Sequence, residues 1–335
     1  MSRMATQKEI ARRAGVSVSA VSAVVNGTTH TRMSEETRAR IEAVIAAVGY
    51  VPNDAARALR RQQAGTIAVV VEKVENPVYR ELFHGIYEAA EARGWAVVLG
   101  DTIWMRSGSH FLARLLGRGS IDAILLRHDG LIDDEVLAHL SARSTPVVSL
   151  DGRHGIDGQW LSVDDAAAGR VATQHLIEAG HRDVAFVGGG AGVSTAQRHR
   201  GYLEAMSAAG LRPRAPVFSG YGGAAGGVGL VELLSDLPTG VVVNNVLTAV
   251  GLAGTAQARS IDVPGRLSVV GLHDAEIAEL VHPQLTTVRL PLAEVGTRAV
   301  EQVSALLDGG PTDFGVVTDP PPTVISRGSV APPSR

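Results

Sequence analysis

The chain has 335 residues, is 45% hydrophobic and contains no cysteine. That length has room for two or three compact units. The missing thiols exclude disulfides and thiolate metal sites and fit a reducing interior, and no apolar run is long enough to span a bilayer. The net charge of −3 hides an asymmetry: residues 1–63 hold ten Lys or Arg against five Asp or Glu, a net of +5, and the remaining 21 basic and 29 acidic residues leave −8. A basic head on an acidic body suits a protein that offers one end to phosphates, although a solvated charged helix gives the same count.

The opening Met-Ser-Arg-Met-Ala-Thr leads directly into a capped helix, with no secretory apolar segment, so a cytoplasmic protein with no membrane association is expected. Thr6 and Glu9 have capping-box spacing, and Ile10, Ala11 and Ala14 follow as an apolar stripe at helical period. Gly15 stands where the chain must turn sharply. Ser17 can cap a second helix with Val21, Val24 and Val25 inward and Val18, Ser19, Ser22 and Asn26 outward. Two short helices about a tight turn, with small polar residues on the free face, form a unit able to enter a DNA groove; an ordinary αα-hairpin shares the pattern.

Ser34 opens a third helix, with Ile41, Val44, Ile45 and Val48 on one side and Gly49 as its stop. In Tyr50-Val51-Pro52-Asn53, Asn53 can cap a short alanine-rich helix through Ala56 to Arg61. Such a helix forms only against a partner. Leu59, set among basic residues, is then either a wedge for a DNA minor groove or a packing residue of a helical linker.

Gln62-Gln63-Ala64-Gly65 reads as a boundary, after which strands and helices alternate. Strands are expected at Thr66–Val71, Trp95–Leu99, Ile121–Leu126 and Pro146–Leu150, with a helix over about Val78–Arg93. A second series follows Val163: helices near Ala166–Ala179, Thr195–Ala209 and Leu247–Arg259 alternate with strands Asp183–Val187, Gly240–Val243 and Leu267–Val270. Apolar β-branched runs alternating with helices imply parallel sheets covered on both faces, and two series imply two doubly wound subdomains. Ligands of such folds sit beyond the carboxyl ends of the strands. The polar residues there are Asn76 and Tyr79, Arg127, Asp151, Asn245 and His273. For Asn76 and Asp151 a helix cap or solvated loop is an equal alternative.

The order Thr6-x-x-Glu-Ile-Ala-x-x-Ala-Gly-Val-Ser, then Val18-Ser-x-Val-x-x, Asn26, Thr37-Arg38, Tyr50-x-Pro-Asn and Ala56-x-x-Leu59 resembles the lactose-repressor (LacI/GalR-type) family of bacterial transcription regulators. The likeness continues through Asn76-Pro77, Phe83-x-Gly85-Ile86, Val163-Asp-Asp165, His175-Leu176, Gly180-His-Arg182, Arg198-x-x-Gly201-Tyr202, Ser268-Val-Val-Gly271 and Leu285-Thr-Thr-Val288. The resemblance implies an N-terminal all-α helix-turn-helix head (1–50) with a hinge helix and linker (51–65). It implies next an α/β periplasmic-binding-protein-like (type I) core, with one lobe of residues 66–162 plus about 291–327 and another of 163–290. The implied function is a ligand-responsive transcriptional regulator, a repressor, bound as a homodimer to a pseudo-palindromic double-stranded DNA operator. A small-molecule effector, sugar-like or an acidic metabolite, would sit between the lobes and alter hinge geometry. DNA contacts are then expected from Thr6, Lys8, Ser17, Val18, Ser19, Ala20, Ser22, Ala23, Asn26, His30, Tyr50, Asn53, Ala56 and Leu59. Arg198 matches the arginine that grips the effector in the family. The tail after Ser329 has no leucine heptads, so a terminal tetramer-forming coiled coil is not expected.

Three departures from the family pattern stand out. Val246 follows Asn245 where relatives commonly carry aspartate, and Leu272-His273-Asp274 stands where two acidic residues are common. Carboxylates there suit neutral sugars. Their loss beside Arg127 and Arg198 tilts the cleft toward an acidic or phosphorylated effector, with Asp151 and Asp274 offsetting the arginines in part. On the DNA side, Ala20 and Ala23 replace larger polar residues, leaving readout to thymine methyls, hydroxyls and DNA deformation.

No enzyme, cofactor or metal is expected. Val187-Gly-Gly-Gly190 lacks the lysine of a P-loop, the histidines show no metal-ligand spacing, and no Gly-x-Ser-x-Gly elbow occurs. The serious rival, a solute-binding protein for transport, would share residues 66–330 but has no use for residues 6–61.

Overall fold

A computed structural model describes residues 6–25, 33–50, 63–115, 117, 119–128, 132–142, 145–150, 158–190 and 192–334. The chain divides into two compact units, Met1–Ala64 and Gly65–Arg335. Among the described residues no helix is long and apolar enough to cross a membrane.

In the first unit, α1 (Gln7–Ala14), α2 (Val18–Val25) and α3 (Glu35–Val48) surround a core of Ile10, Ala11, Ala14, Val21 and Ile41. Thr6 Oγ1 accepts from Glu9 N at 3.3 Å, but the Glu9 carboxylate does not return to the cap. Arg12 and Arg13 hold it at 2.6 and 2.7 Å and keep its carboxyl at about 2. Gly15 (φ 65°) makes the left-handed turn between α1 and α2, and Ser17 Oγ caps α2 by accepting from Ala20 N at 3.2 Å. Four valines in eight residues make α2 a poor helix by propensity. Its stability comes from the Ile10–Ile41 core on which Val21 closes.

The second unit holds two larger sheets, parallel but for one edge strand of the second, and a two-stranded ribbon. β1 (Thr66–Val71), β2 (Ala96–Asp101), β3 (Ala123–Leu126) and β4 (Val147–Ser149) form the first, in the order β2-β1-β3-β4. Successive β1 side chains face opposite helical layers. Ala68 and Val70 pack with α5 (His110–Leu115) and α6 (Asp134–Ser141), while Ile67, Val69 and Val71 belong to the core that includes α4 (Tyr79–Glu91). β2 is the edge strand, and Val98 and Leu99 are exposed on it.

After β5 (Leu161–Val163) and α7 (Asp165–Glu178) the second sheet begins. Its strands are β6 (Val184–Gly188), β7 (Val217–Phe218), β8 (Gly240–Val243), β9 (Ser268–Leu272), β10 (Thr286–Arg289) and β12 (Thr323–Ile325), ordered β12-β10-β9-β8-β6-β7. α8 (Val193–Ala208), α9 (Gly223–Leu233), α10 (Val246–Ala258) and the short α11 (Ile277–Leu280) accompany it. α12 (Leu292–Asp308) then returns to pack on α4 of the first lobe, and β11 (Gly315–Val317) pairs with β5 in a two-stranded parallel ribbon. The return is shorter than the expected 291–327. β12 is zipped antiparallel to β10, Thr287 opposite Ile325 and Arg289 opposite Thr323, so residues 323–325 belong to the second sheet. A three-residue apolar strand carries no sign of which sheet it joins.

Glycines bring helices to backbone distance at the α4–α12 and α7–α8 contacts. A Cβ on Gly85 would lie 2.0 Å from the Ala293 carbonyl oxygen, where α4 meets α12. On Gly201 it would lie 1.9 Å from the Ala166 carbonyl, and on Gly169 2.0 Å from that of Arg198, where α8 meets α7. The motif glycines 85 and 201 are thus packing requirements. We expect Gly201→Ala to destabilise the second unit by about 1–3 kcal/mol, the range for an overpacked core site. Gly15→Ala should cost about 1 kcal/mol in the first unit, the cost of a left-handed residue. Denaturant unfolding of each variant followed by circular dichroism separates the two.

Candidate functional site

The carboxyl ends of both sheets converge on a cavity of about 160 Å³. From the first lobe it is lined by Glu72, Lys73, Glu75 and Asn76-Pro77-Val78-Tyr79 after β1, and by Arg127 and His128 after β3. From the second come Ser194 and Arg198 of α8, Tyr221 and Gly222 before α9, Asn245 and Leu247 after β8, and His273 after β9. Six of the seven sequence-predicted ligand residues therefore line one cavity: Asn76, Tyr79, Arg127, Arg198, Asn245 and His273. The seventh, Asp151, lies outside the described residues.

Arg198 is the centre of the second-lobe wall and is 2% exposed. Its Nε donates to Asp165 Oδ1 at 2.7 Å, its Nη1 to the Asn244 carbonyl at 2.6 Å, and its Nη2 to His273 Nε2 at 3.1 Å. The close α7–α8 packing places Asp165, at the start of α7, against this guanidinium. A buried guanidinium needs such a partner, because an unpaired buried charge is costly. Because Arg198 can only donate, His273 Nε2 must accept, and the ring proton resides on Nδ1. Burial, then the charges of Arg198 and Arg127, hold the His273 pKa well below its ordinary value, so the ring is neutral. His273 sits at φ 66°, in the left-handed region. Asn245 is the N-cap of α10: its Oδ1 accepts from Thr248 N at 2.9 Å, which turns Nδ2 away from the helix.

In the first lobe, Asn76 Oδ1 accepts from Val78 N at 3.2 Å, so the local-turn reading of Asn76 holds alongside its place in the cavity. Tyr79 opens α4, and the Arg127 guanidinium carbon lies 5.3 Å from its ring centroid. Asp274 does not offset the arginines as expected. Its carboxylate is held by Thr287 (2.6 Å), Arg289 (2.6 Å) and Arg327 (2.8 Å), away from the cavity lining. Burial pushes its carboxyl up, but these hydrogen bonds outweigh burial and leave it below the usual value.

Sequence reasoning missed several lining residues. Glu72 and Lys73 directly follow β1, so the strand-end rule could have reached them. Tyr221 lies in a glycine-rich segment with no periodicity. It packs where a Cβ on Gly189 would strike its ring at 2.2 Å, and its hydroxyl bonds Thr195 Oγ1 at 2.9 Å. The triple glycine after Val187 is therefore a turn that makes room for an aromatic ring.

In the first unit, Lys8, Ser17, Val18 and Ser19 are exposed, Ser22 is half-buried, and Thr6 and Ser17 act as helix caps. Ala23 is 8% exposed and is not on an open face, which corrects its expected place among the groove-reading residues. Ala20 and Tyr50, also expected there, pack partly buried against the three-helix core. A methyl group carries no polar mark to say which side of a helix it faces. Asn26, His30, Asn53, Ala56 and Leu59 lie outside the described residues.

A helix-turn-helix unit followed by a two-lobed α/β core with a polar cleft defines a ligand-responsive, DNA-binding regulator. Residues 6–53 match the family model described as bacterial regulatory proteins, lacI family, and residues 173–330 match that of a periplasmic binding protein-like domain. The HTH-type transcriptional regulator GalR of Escherichia coli (strain K12) is 31% identical over 337 residues, covering 99% of this chain and 97% of that protein. A LacI family transcriptional regulator from Mycobacterium smegmatis superimposes with a TM-score of 0.73 at 35% identity, over 80% of this chain and all of that one. The transcriptional regulator CelR in complex with cellobiose does so at 0.71 and 27% identity, over 97% and 99%. The chain belongs to the LacI family and is a ligand-responsive transcriptional regulator.

Three histidines should make the second lobe acid-sensitive. Burial lowers the pKa of His181, despite its bond to the Ala331 carbonyl, and that of His199, packed against Phe186 and Tyr202; His273 is lowered further. Depressed folded values mean the unfolded chain takes up protons first. This contribution to stability is therefore complete above about pH 6.5 and is lost as pH falls below it toward the folded values. The melting temperature should drop by several degrees between pH 7.5 and 5.5 and drop less for His199→Gln. An unchanged slope in that variant would remove His199 from the account.

Proposed function

We propose that this regulator is a repressor that binds a pseudo-palindromic operator as a homodimer in the cytoplasm, with a small-molecule effector in the cleft between its lobes changing its affinity for DNA. The observation that carries the reading is the convergence of six polar or aromatic residues, read from strand ends and family motifs, on one cavity shared by both lobes. A ligand touching both lobes favours one lobe arrangement by its differential affinity, which is the requirement for an effector. Such coupling amounts to about 1–3 kcal/mol in typical cases.

In this reading α2 enters the major groove with Ser17, Val18, Ser19 and Ser22 toward the bases, and Lys8 contacts phosphate. Ala20, Ala23 and Tyr50 serve to shape the head. The segment from Asn53 to Leu59 pairs with its copy at the operator centre, with Leu59 as a wedge. Self-association is supported by an exposed apolar edge on the first lobe, where Val98 and Leu99 of β2 lie in sequence near Ile103 and Trp104. An unpaired edge strand carrying such side chains invites a second copy. Non-enzymatic action agrees with the identity of the relatives as regulators.

Selection of DNA from a random library by the purified chain should recover a short palindrome with a deformable pyrimidine–purine centre. Leu59→Ala should weaken binding to that sequence at least tenfold and leave salt-sensitive binding to random DNA little changed. Equal losses on both would sink the wedge, and recovery of no preferred sequence would sink the repressor reading. Val98→Glu should shift the protein from dimer to monomer in light scattering and lower operator affinity by a similar factor. A variant that remains dimeric would place the self-contact elsewhere.

A further inference from the structure

The cleft reading above leaves the effector's chemistry open, and the second-lobe wall constrains it. Four side chains matter: Arg198, His273, Asn245 and Ser194. Three of the five N–H groups of Arg198 are committed to Asp165, Asn244 and His273. His273 is 5% exposed, its Nε2 is used as an acceptor, and its Nδ1 has no hydrogen-bond partner among the described residues. Asn245 is 9% exposed, its Oδ1 is used as the cap, and its Nδ2 likewise has none. Both residues line the cavity. Their acceptors are consumed by the protein and their donors are left over.

Buried donors without partners are costly, and native proteins rarely retain them without a use. The left-handed backbone of His273 adds a further local cost, of the kind that gathers at ligand clamps. Across the cavity the first lobe brings both kinds of group, with Lys73 and Arg127 as donors. Glu72 and Glu75 supply the side chains there that can only accept.

We propose that the effector is a polyhydroxy metabolite with an oxyanion head, a carboxylate or a phosphate, whose oxygens accept from His273 Nδ1, Asn245 Nδ2 and Arg198 while its hydroxyl body faces Glu72 and Glu75. A vicinal diol fits the second-lobe wall less well, because each hydroxyl brings a proton that Arg198, His273 and Asn245 cannot accept and that must go to the Ser194 or Tyr221 hydroxyl. An oxyanion brings none, and its bonds to guanidinium are charge-assisted and about twice as strong as neutral ones. Asp165 balances the Arg198 charge from outside the cavity lining, so that Arg198 can stay buried before the ligand arrives. The neutral state of His273 agrees, since a ring flanked by two arginines donates without adding a third positive charge.

The test is calorimetric titration and thermal shift of the full chain with a panel of hexonates, hexuronates, hexose phosphates and the matching neutral hexoses and pentoses. At least one oxyanion should bind ten times or more tightly than its neutral counterpart, and carboxylates against phosphates identify the head. His273→Asp should lose that binding tenfold or more and shift preference toward the neutral sugar; Asn245→Asp is the second variant should the first not fold. A panel in which only neutral sugars bind, or none of the anions does, overturns the proposal. So does an anion that binds His273→Asp as tightly as the wild type. None of these outcomes bears on selection of operator DNA, so the repressor reading stands or falls separately.

Discussion

The second lobe is organised around one buried guanidinium. A charge 2% exposed is stable only when paired and hydrogen-bonded, and Arg198 meets that condition with groups from three separate places. Asp165 begins α7, the Asn244 carbonyl follows β8, and His273 follows β9. Each must reach the same point, so the ends of two strands and the starts of two helices are tied in register. The glycines at the α7–α8 contact are part of the same constraint. A larger residue at Gly169 would strike the backbone carbonyl of Arg198 itself. Packing between two helices thus sets the geometry of a ligand wall whose Arg198 hydrogen bonds are made within the protein.

The first lobe contributes a wall of a different kind. Arg127 leaves the end of β3 and lies against the ring of Tyr79, which opens α4. α4 is clamped in turn by α12, the helix that returns from the second lobe. A ligand that reaches Arg127 therefore touches a group whose position is shared with α4. One that touches only the Arg198 wall gains no differential energy between lobe arrangements, however tightly it binds. Under the proposed cleft reading, the second lobe would supply affinity and orientation, and the Arg127–Tyr79 pair would supply the bias.

Much of this was legible in the sequence, for reasons that differ by residue. Strands β1 and β8 carry continuous buried β-branched runs, so their bounds were read directly. The strand-end rule located Asn76, Tyr79, Arg127, Asn245 and His273 because a parallel sheet must open its ligand side there. Arg198 needed the family motif, since a mid-helix arginine has no local mark of burial. What failed to show were properties set by distant partners. Asp274 was read as part of the cleft, but three residues from other elements draw its carboxylate aside. β12 joins the second sheet through a pairing with β10 that three apolar residues do not announce. The burial of Ala23 is likewise a tertiary fact, invisible in an alanine.

The departure at His273 shows how specificity can change without moving the fold. A carboxylate at that position would accept from ligand hydroxyls, and it would also pair with Arg198, neutralising the guanidinium from inside the cavity. An imidazole does the reverse on both counts. It accepts one N–H from Arg198 through Nε2 and converts that bond into a donor at Nδ1, so the wall keeps its register while its hydrogen-bond polarity inverts. The charge balance then passes to Asp165, outside the cavity lining, which is why the guanidinium can remain buried. Discrimination by such an inversion is strong, because a wrong ligand leaves buried donors facing donors, and unpaired polar groups cost more than paired ones gain. The selectivity of this cleft thus resides in the direction of three hydrogen bonds rather than in its shape.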